Sequence, residues 1–156
     1  LDIDALVVLN KNFYLDNQLS IIKGRDLLKN EPLISMPPVN INNEIVYQNQ
    51  KANNITLSLK SEYTFRQNEY PDNNFDVFVA LSETTETLDL STPPDAYQIF
   101  NFNSSIGIIT KQNYSLSLSF SIRNLFNKEY RNYLNRLRYY AHDLGRSFIF
   151  GANYKF

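Results

Sequence analysis

Apolar and polar residues alternate along most of this chain. The alternation is sharpest between Tyr114 and Arg123, where serine holds positions 115, 117, 119 and 121 and apolar residues hold the positions between them. A β-strand turns successive side chains to opposite faces. The pattern therefore predicts strands with one apolar face and one polar face.

About seven segments carry this alternation, and Asn-rich or Pro-rich stretches separate them. Tyr and Phe are abundant and helix-forming stretches are few, which favours an all-β chain. The predicted strands cover residues 2–9, 13–21, 39–48, 55–66, 100–108, 114–123 and 146–156.

The connections between these strands alternate in length. The short ones are 10–12, 49–54 and 111–113, and the long ones are 24–38, 67–96 and 127–145. In an up-and-down meander the short and the long connections lie at opposite ends, as in outer-membrane barrels. A soluble up-and-down barrel with its apolar face inward would show the same alternation. The pattern favours the membrane barrel through its unequal loops and its terminal aromatic residue.

Charge and composition exclude several other classes of protein. The chain has 15 basic and 16 acidic residues, so it lacks the basic excess of a nucleic-acid-binding protein. It has no cysteine, which excludes disulfides and thiolate metal sites. No run approaches the roughly 20 apolar residues of a membrane-spanning helix. Because the chain begins with Leu1 in what is already a strand pattern, we expect it to be a piece of a longer protein.

The last forty residues carry a more specific pattern. Asn124-Leu-Phe-Asn-Lys-Glu-Tyr130 follows a predicted strand, Gly145-Arg146 precedes the next, and the chain closes on Phe156. This order resembles the C-terminal end of TonB-dependent outer-membrane receptors. The proline-containing segments 32–38 and 92–97 also resemble the segments that these receptors carry before a strand.

The resemblance implies that residues 1–156 are the C-terminal segment of a 22-stranded transmembrane β-barrel in the bacterial outer membrane, without its plug domain. Seven strands cannot close such a barrel, and an open edge is untenable in lipid. The implied partners are therefore outer-membrane lipid, the remaining barrel strands and plug of the same receptor, and TonB acting through that plug. Phe156 would be the signal that the barrel-assembly machinery recognises.

The function implied by the resemblance is uptake of a scarce nutrient, such as an iron–siderophore or another metal chelate, with no catalysis and no cofactor. One alternative is a small outer-membrane barrel, either an adhesin or a lipid-modifying enzyme in which Ser147 and His142 would form a hydrolytic pair. The other alternative is a soluble ligand-binding barrel.

The long loop 127–145 supplies the candidate ligand-binding residues. Arginine forks and phenol rings suit anionic, aromatic chelates through paired hydrogen bonds and stacking. The competing interpretation, which the sequence favours, is that these residues brace the end of the barrel. No metal site is predicted, because a lone histidine is more often structural. Charged residues on the polar faces (Lys60, Glu62, Arg66 and Arg123) are predicted to line the lumen. The candidate ligand-binding residues are Arg131, Arg136, Arg138, Tyr139, Tyr140 and His142.

Overall fold

The computed structural model describes residues 1–51, 53–89, 91–111 and 114–155, and every regular element in these ranges is a β-strand. No helix in the described ranges is long and apolar enough to cross a membrane. Phe156, the predicted assembly signal, lies outside the described residues. The strands are β1 Asp2–Val8, β2 Phe13–Ser20, β3 Arg25–Asp26, β4 Glu31–Pro32, β5 Asn40–Asn49, β6 Ile55–Thr64, β7 Phe75–Val79, β8 Thr84–Leu88, β9 Tyr97–Lys111, β10 Tyr114–Arg123 and β11 Ser147–Lys155.

Seven of these strands form one antiparallel sheet in the order β1-β2-β5-β6-β9-β10-β11. Each long strand pairs with the long strand that follows it in the chain, so the sheet is an up-and-down meander. The sheet is open, because β1 and β11 do not pair with each other. The predicted all-β, antiparallel fold class with seven strands is confirmed, and the last strand pairs with the strand at 114–123, as the order of a meander requires.

Two small hairpins lie within the long connections, where the sequence predicted only loops. β3 pairs with β4, and β7 pairs with β8. Asn30 and Glu83 adopt positive φ angles of 54° and 50° in the turns of these hairpins. The alternation of Phe75, Val77 and Val79 was too short to stand out within a loop of polar residues.

The register of the sheet separates an apolar face from a polar face. On one face Phe120 lies opposite Phe150, and their ring centroids are 4.8 Å apart. On the other face Ser117 lies opposite Asn153, and Lys60 lies opposite Glu44. These surfaces are called the apolar face and the polar face below.

The apolar face is exposed rather than covered by a second layer. Phe148 and Phe150 are 58% and 78% exposed, and Tyr154 is 55% exposed. Among the described residues, Val46 and Tyr133 are the only buried members of the hydrophobic core. A soluble domain buries its apolar sheet face against another element. This sheet leaves its apolar face open to whatever surrounds it.

Most of the charged residues predicted for the lumen meet on the polar face. Lys60 and Glu62 form an ion pair at 2.9 Å, and both line a cavity of about 380 Å³ together with Arg123. Arg66 instead lies beyond the end of β6, where its guanidinium is 3.6 Å from the Asp95 carboxylate. The polar face thus holds a charged cavity at the end of the sheet that carries the long loops.

Candidate functional site

The last long loop, residues 124–146, folds over the polar face of the sheet. The backbone N–H of Asn124 donates to the side-chain oxygen of Asn101 at 2.9 Å. The ring of Tyr130 lies 4.5 Å from that of Tyr97, centroid to centroid. Asn101 and Tyr97 both lie on the polar face, opposite Lys60 and Thr64 of β6. The loop is therefore held above the polar face by contacts with β9.

Asn124 holds the two ends of this loop together. Its side chain is almost fully buried, with 2% of the residue exposed. The side-chain amide donates to the carbonyls of Lys128 (2.8 Å) and Leu144 (3.4 Å), and its oxygen accepts from the Lys128 N–H at 2.8 Å. Asparagine also tolerates the left-handed backbone found here, at φ 50°. The residue joins positions twenty apart in the chain, which explains an asparagine at the start of the Asn-Leu-Phe-Asn motif.

A second asparagine of the motif closes the loop. The side-chain oxygen of Asn127 accepts from the backbone N–H of Arg146 at 2.8 Å. A Cβ atom at Gly145 would lie 2.8 Å from this same oxygen, so a larger residue would displace the oxygen from its present position. The Gly145-Arg146 pair and the Asn-rich motif are thus in direct contact through this hydrogen bond.

Asp143 organises the interior of the loop. Its carboxylate accepts from the backbone N–H of Asn132 at 2.6 Å and from the side-chain amide of Asn135 at 2.9 Å. Its own N–H donates to the carbonyl of Tyr130 at 2.9 Å. A charged acceptor with several donors makes stronger hydrogen bonds than a neutral one. The loop is therefore built as a compact unit.

Arg138 is packed between two tyrosines. Its guanidinium lies 4.5 Å from the ring centroids of both Tyr133 and Tyr139. It also donates to the Tyr133 carbonyl and to the Tyr139 hydroxyl. These contacts hold the Arg138 side chain within the loop.

The loop and the segment before β9 enclose a cavity of about 430 Å³. Four of the six candidate ligand-binding residues line it, namely Arg131, Arg138, Tyr139 and His142. Arg136 and Tyr140 do not line it, and Tyr140 is 83% exposed. The role of all six residues in binding a ligand stays a prediction.

Two guanidinium donors at this cavity are buried without a partner. The Nε atoms of Arg131 and Arg138 are shielded from solvent, and neither makes a hydrogen bond to a described residue. Buried donors are nearly always satisfied in native proteins, so each exception needs an explanation.

The proposed hydrolytic pair is divided between two cavities. His142 lines the 430 Å³ cavity, and its Nδ1 is 4.0 Å from a carboxylate oxygen of Glu129. Ser147 lines the charged cavity on the polar face instead. Within the described residues no three His, Cys, Asp or Glu side chains are grouped as a metal site.

Among the loop residues at or near the cavity, three groups have shifted pKa values. The backbone N–H of Thr92 donates to Asp89 at 2.9 Å, and this bond lowers the pKa of the carboxyl group. Burial raises the pKa of the Tyr130 phenol, and the neighbouring Asp143 carboxylate raises it further. Burial also raises the pKa of Tyr133, while the positive charge of Arg138 opposes that shift. Both phenols therefore stay neutral at physiological pH.

Sequence reasoning missed the residues that the preceding loop and the motif contribute to the cavity. Asp89, Pro93, Pro94 and Asp95 form one wall, and Lys128 and Glu129 belong to another. The segment around Pro93 was noted only as the entry to a strand. The sequence could have indicated its proximity to the last loop, because alternate connections of a meander lie at the same end of the sheet.

Comparison with known proteins gives one informative result. No model of a known protein family matches this sequence, and no curated protein matches it. A solved structure described as "Copper transporter OprC" superimposes with a TM-score of 0.75 at 17% sequence identity. The likeness establishes the fold.

That alignment covers 99% of this chain but 22% of the transporter chain. The seven-stranded sheet therefore matches a segment of a larger chain, and this chain spans about a fifth of the length of that neighbour. The neighbour is named as a transporter.

Proposed function

We propose that this chain is the C-terminal part of a TonB-dependent outer-membrane receptor that takes up a metal chelate, such as an iron–siderophore. The observation that carries the proposal is the exposed apolar face of an antiparallel meander. A soluble ligand-binding barrel would turn that face inward, whereas a membrane barrel turns it to lipid. The fold likeness to a transporter and the Asn124–Tyr130 motif support the same conclusion.

In this proposal the polar face lines the barrel and the long loops lie outside the cell. The cavity beside Arg131 and Arg138 then faces an incoming solute, and these two guanidinium groups give part of its lining a positive charge. Tyr139 adds an aromatic surface to the same cavity. Anionic, aromatic chelates combine both properties, and they are the ligand class that this site fits best.

The first test is location. The full-length protein is expected in the outer-membrane fraction, with the mobility change on heating that folded barrels show in gels. Recovery as a soluble monomer without detergent would contradict the proposal.

The second test is ligand binding, with a ferric tris-catecholate as the anionic probe. Arg131→Gln is expected to weaken binding about tenfold, as the loss of one charge-assisted contact would. Arg136→Gln is the matched control, because Arg136 is exposed in the same loop and does not line the cavity. Equal affinity of the two variants would show that Arg131 does not contact the ligand. If the unmodified protein did not bind the probe, this ligand class would be refuted.

A further inference from the structure

The cavity of about 430 Å³ has walls of opposite charge. The segment before β9 contributes Asp89 and Asp95 to the lining, and residues 89–97 contain no lysine or arginine. The last loop contributes Lys128, Arg131 and Arg138. We call the two aspartates the acidic wall and the three cationic residues the basic wall. The lining is therefore dipolar rather than simply positive.

Asp89 is fixed in the acidic wall by the turn that follows it. A carboxylate oxygen accepts from the backbone N–H groups of Thr92 at 2.9 Å and Ser91 at 3.2 Å. The bond from Thr92 lowers the pKa of the carboxyl group, so Asp89 is ionised at physiological pH. Pro93 and Pro94 then restrict the backbone, because the proline ring fixes φ. The negative charge of Asp89 thus has a defined place in the lining.

The two walls do not neutralise each other. Asp95 instead lies 3.6 Å from the guanidinium of Arg66, which is not part of the cavity lining. Within the described ranges, no ion pair joins either aspartate to Lys128, Arg131 or Arg138. The opposite charges therefore lie on either side of a space that a ligand can enter.

Two tyrosine rings hold the walls in this arrangement. Tyr97 follows the acidic wall in the chain, Tyr130 lies between Lys128 and Arg131, and both tyrosines line the cavity. Their ring centroids are 4.5 Å apart. The Tyr130 carbonyl also accepts from the backbone N–H of Asp143 at 2.9 Å, which ties this contact to the interior of the loop. The separation of the walls is thus set by packing within the protein.

A solute with charge of a single sign does not match this lining. A purely anionic chelate is attracted by the basic wall and repelled by Asp89. Glu129 adds a further carboxylate to the lining, 4.0 Å from His142 Nδ1. Charges interact more strongly beside a protein surface than in bulk water, because the effective dielectric constant is lower. Repulsion of the wrong ligand is a general source of specificity, so the lining favours a ligand that carries both signs of charge.

We infer that this cavity binds a zwitterionic metal chelate, an inference that deepens the proposed function and rests on it. The anionic metal-binding groups of the chelate lie toward the basic wall. A protonated amine in its backbone lies toward Asp89 and Asp95. An ammonium group is a compact cation with several donors, and carboxylates are acceptors only, so the two are complementary.

The test compares two ferric probes on the full-length protein in detergent. Both probes carry the same three catechol groups, but one has a neutral scaffold and the other a scaffold with one protonated amine. The unmodified protein is expected to bind the amine probe about tenfold more tightly. Equal affinities would overturn the inference and leave the proposed function standing, because both probes would still bind. Binding of neither probe would refute the proposed ligand class and this inference with it.

Substitutions in the acidic wall locate the preference. Asp89→Asn removes the charge and keeps an acceptor for the Thr92 N–H, and Asp95→Asn changes a side chain that is 95% exposed. Each is expected to weaken the amine probe several-fold and to leave the neutral probe unchanged. Glu86→Gln is the matched control, because Glu86 is an exposed acid of the same long connection and does not line the cavity. An equal loss for both probes, or a preference that survives in the double variant, would overturn the inference.

A measurement on the unmodified protein tests the same point without any substitution. At about 1 M salt the Debye length is about 3 Å, so the preference for the amine probe is expected to shrink toward equal affinities. A preference that salt does not change would show that the scaffold is recognised by its shape, and it would overturn the inference.

Discussion

The side-chain oxygen of Asn127 accepts a hydrogen bond from the backbone N–H of Arg146, and this 2.8 Å contact joins the two ends of the last loop. Asn124 makes a parallel connection to Leu144. Together the two asparagines fix where the loop leaves β10 and where it enters β11. The loop that supplies most of the candidate binding residues is thus anchored independently of any ligand.

Asn124→Ala is expected to destabilise the loop strongly. The substitution removes three hydrogen bonds of a buried side chain and places alanine at a positive φ angle. Each bond contributes about 1 kcal/mol, so a loss of about 3 kcal/mol is expected. Guanidinium unfolding and limited proteolysis of residues 124–146 measure it. Asn68→Ala is the control, because Asn68 is exposed, and equal protease resistance of the two variants would contradict the anchoring role.

Gly145→Ala is expected to break the contact between Asn127 and Arg146. The new methyl group would displace the Asn127 oxygen, leaving a backbone N–H without its acceptor at a cost of about 1–3 kcal/mol. Gly107→Ala is a suitable comparison, since a Cβ there meets its nearest atom at 3.4 Å. Faster proteolysis is expected for the first variant only, and the same rate in both would show that Asn127 can move aside at no cost.

Lys60→Gln is expected to lower the stability of the sheet by about 1 kcal/mol, because both groups of the ion pair are partly exposed. Lys60 pairs with Glu62 and lies opposite Glu44, so its loss leaves two carboxylates uncompensated on the polar face. The cost should shrink at about 1 M salt, where screening is strong. Lys51→Gln, in an exposed turn, provides the reference. A stability difference that does not change with salt would mean that packing, not charge, is responsible.

The buried phenol of Tyr133 gives a pH dependence at the alkaline end. Burial raises its pKa above the ordinary value of 10.0, so the folded state favours the neutral phenol. The resulting stabilisation is fully present below pH 10 and is lost as the pH rises through the folded pKa. The difference in absorbance at about 295 nm between the unmodified protein and Tyr133→Phe isolates this group by its phenolate band. The midpoint of this titration is expected to lie above pH 10 in the folded protein and at about pH 10 in denaturant. Identical midpoints in the two conditions would show that the ring is not buried.

The arrangement of the sheet followed directly from the sequence. Alternation from Ser115 to Ile122 is a local property with a period of two residues, so it indicates both the strand and the composition of its two faces. The alternation of short and long connections further indicated that the strands are arranged as an up-and-down meander. The hairpin at β7 and β8 escaped prediction because its alternation is short and its strands pair only with each other.

The roles of single residues in the last loop were decided by tertiary structure. The sequence does not distinguish Arg131, Arg136 and Arg138. In the structure Arg138 is packed between two tyrosines, Arg131 lines the cavity without such packing, and Arg136 is exposed. These differences arise from contacts such as that of Asn127 with Arg146, nineteen residues apart.

The grouping of polar residues on the apolar face was also decided by tertiary structure. The positions of Asn17, Asn43 and Ser61 in the chain do not show that they are neighbours, because only the strand register brings them together. The sequence by itself determined that this chain forms strands with one apolar and one polar face, because side-chain alternation is local. The tertiary structure decided which polar residues meet, because register and loop closure depend on hydrogen bonds between distant parts of the chain.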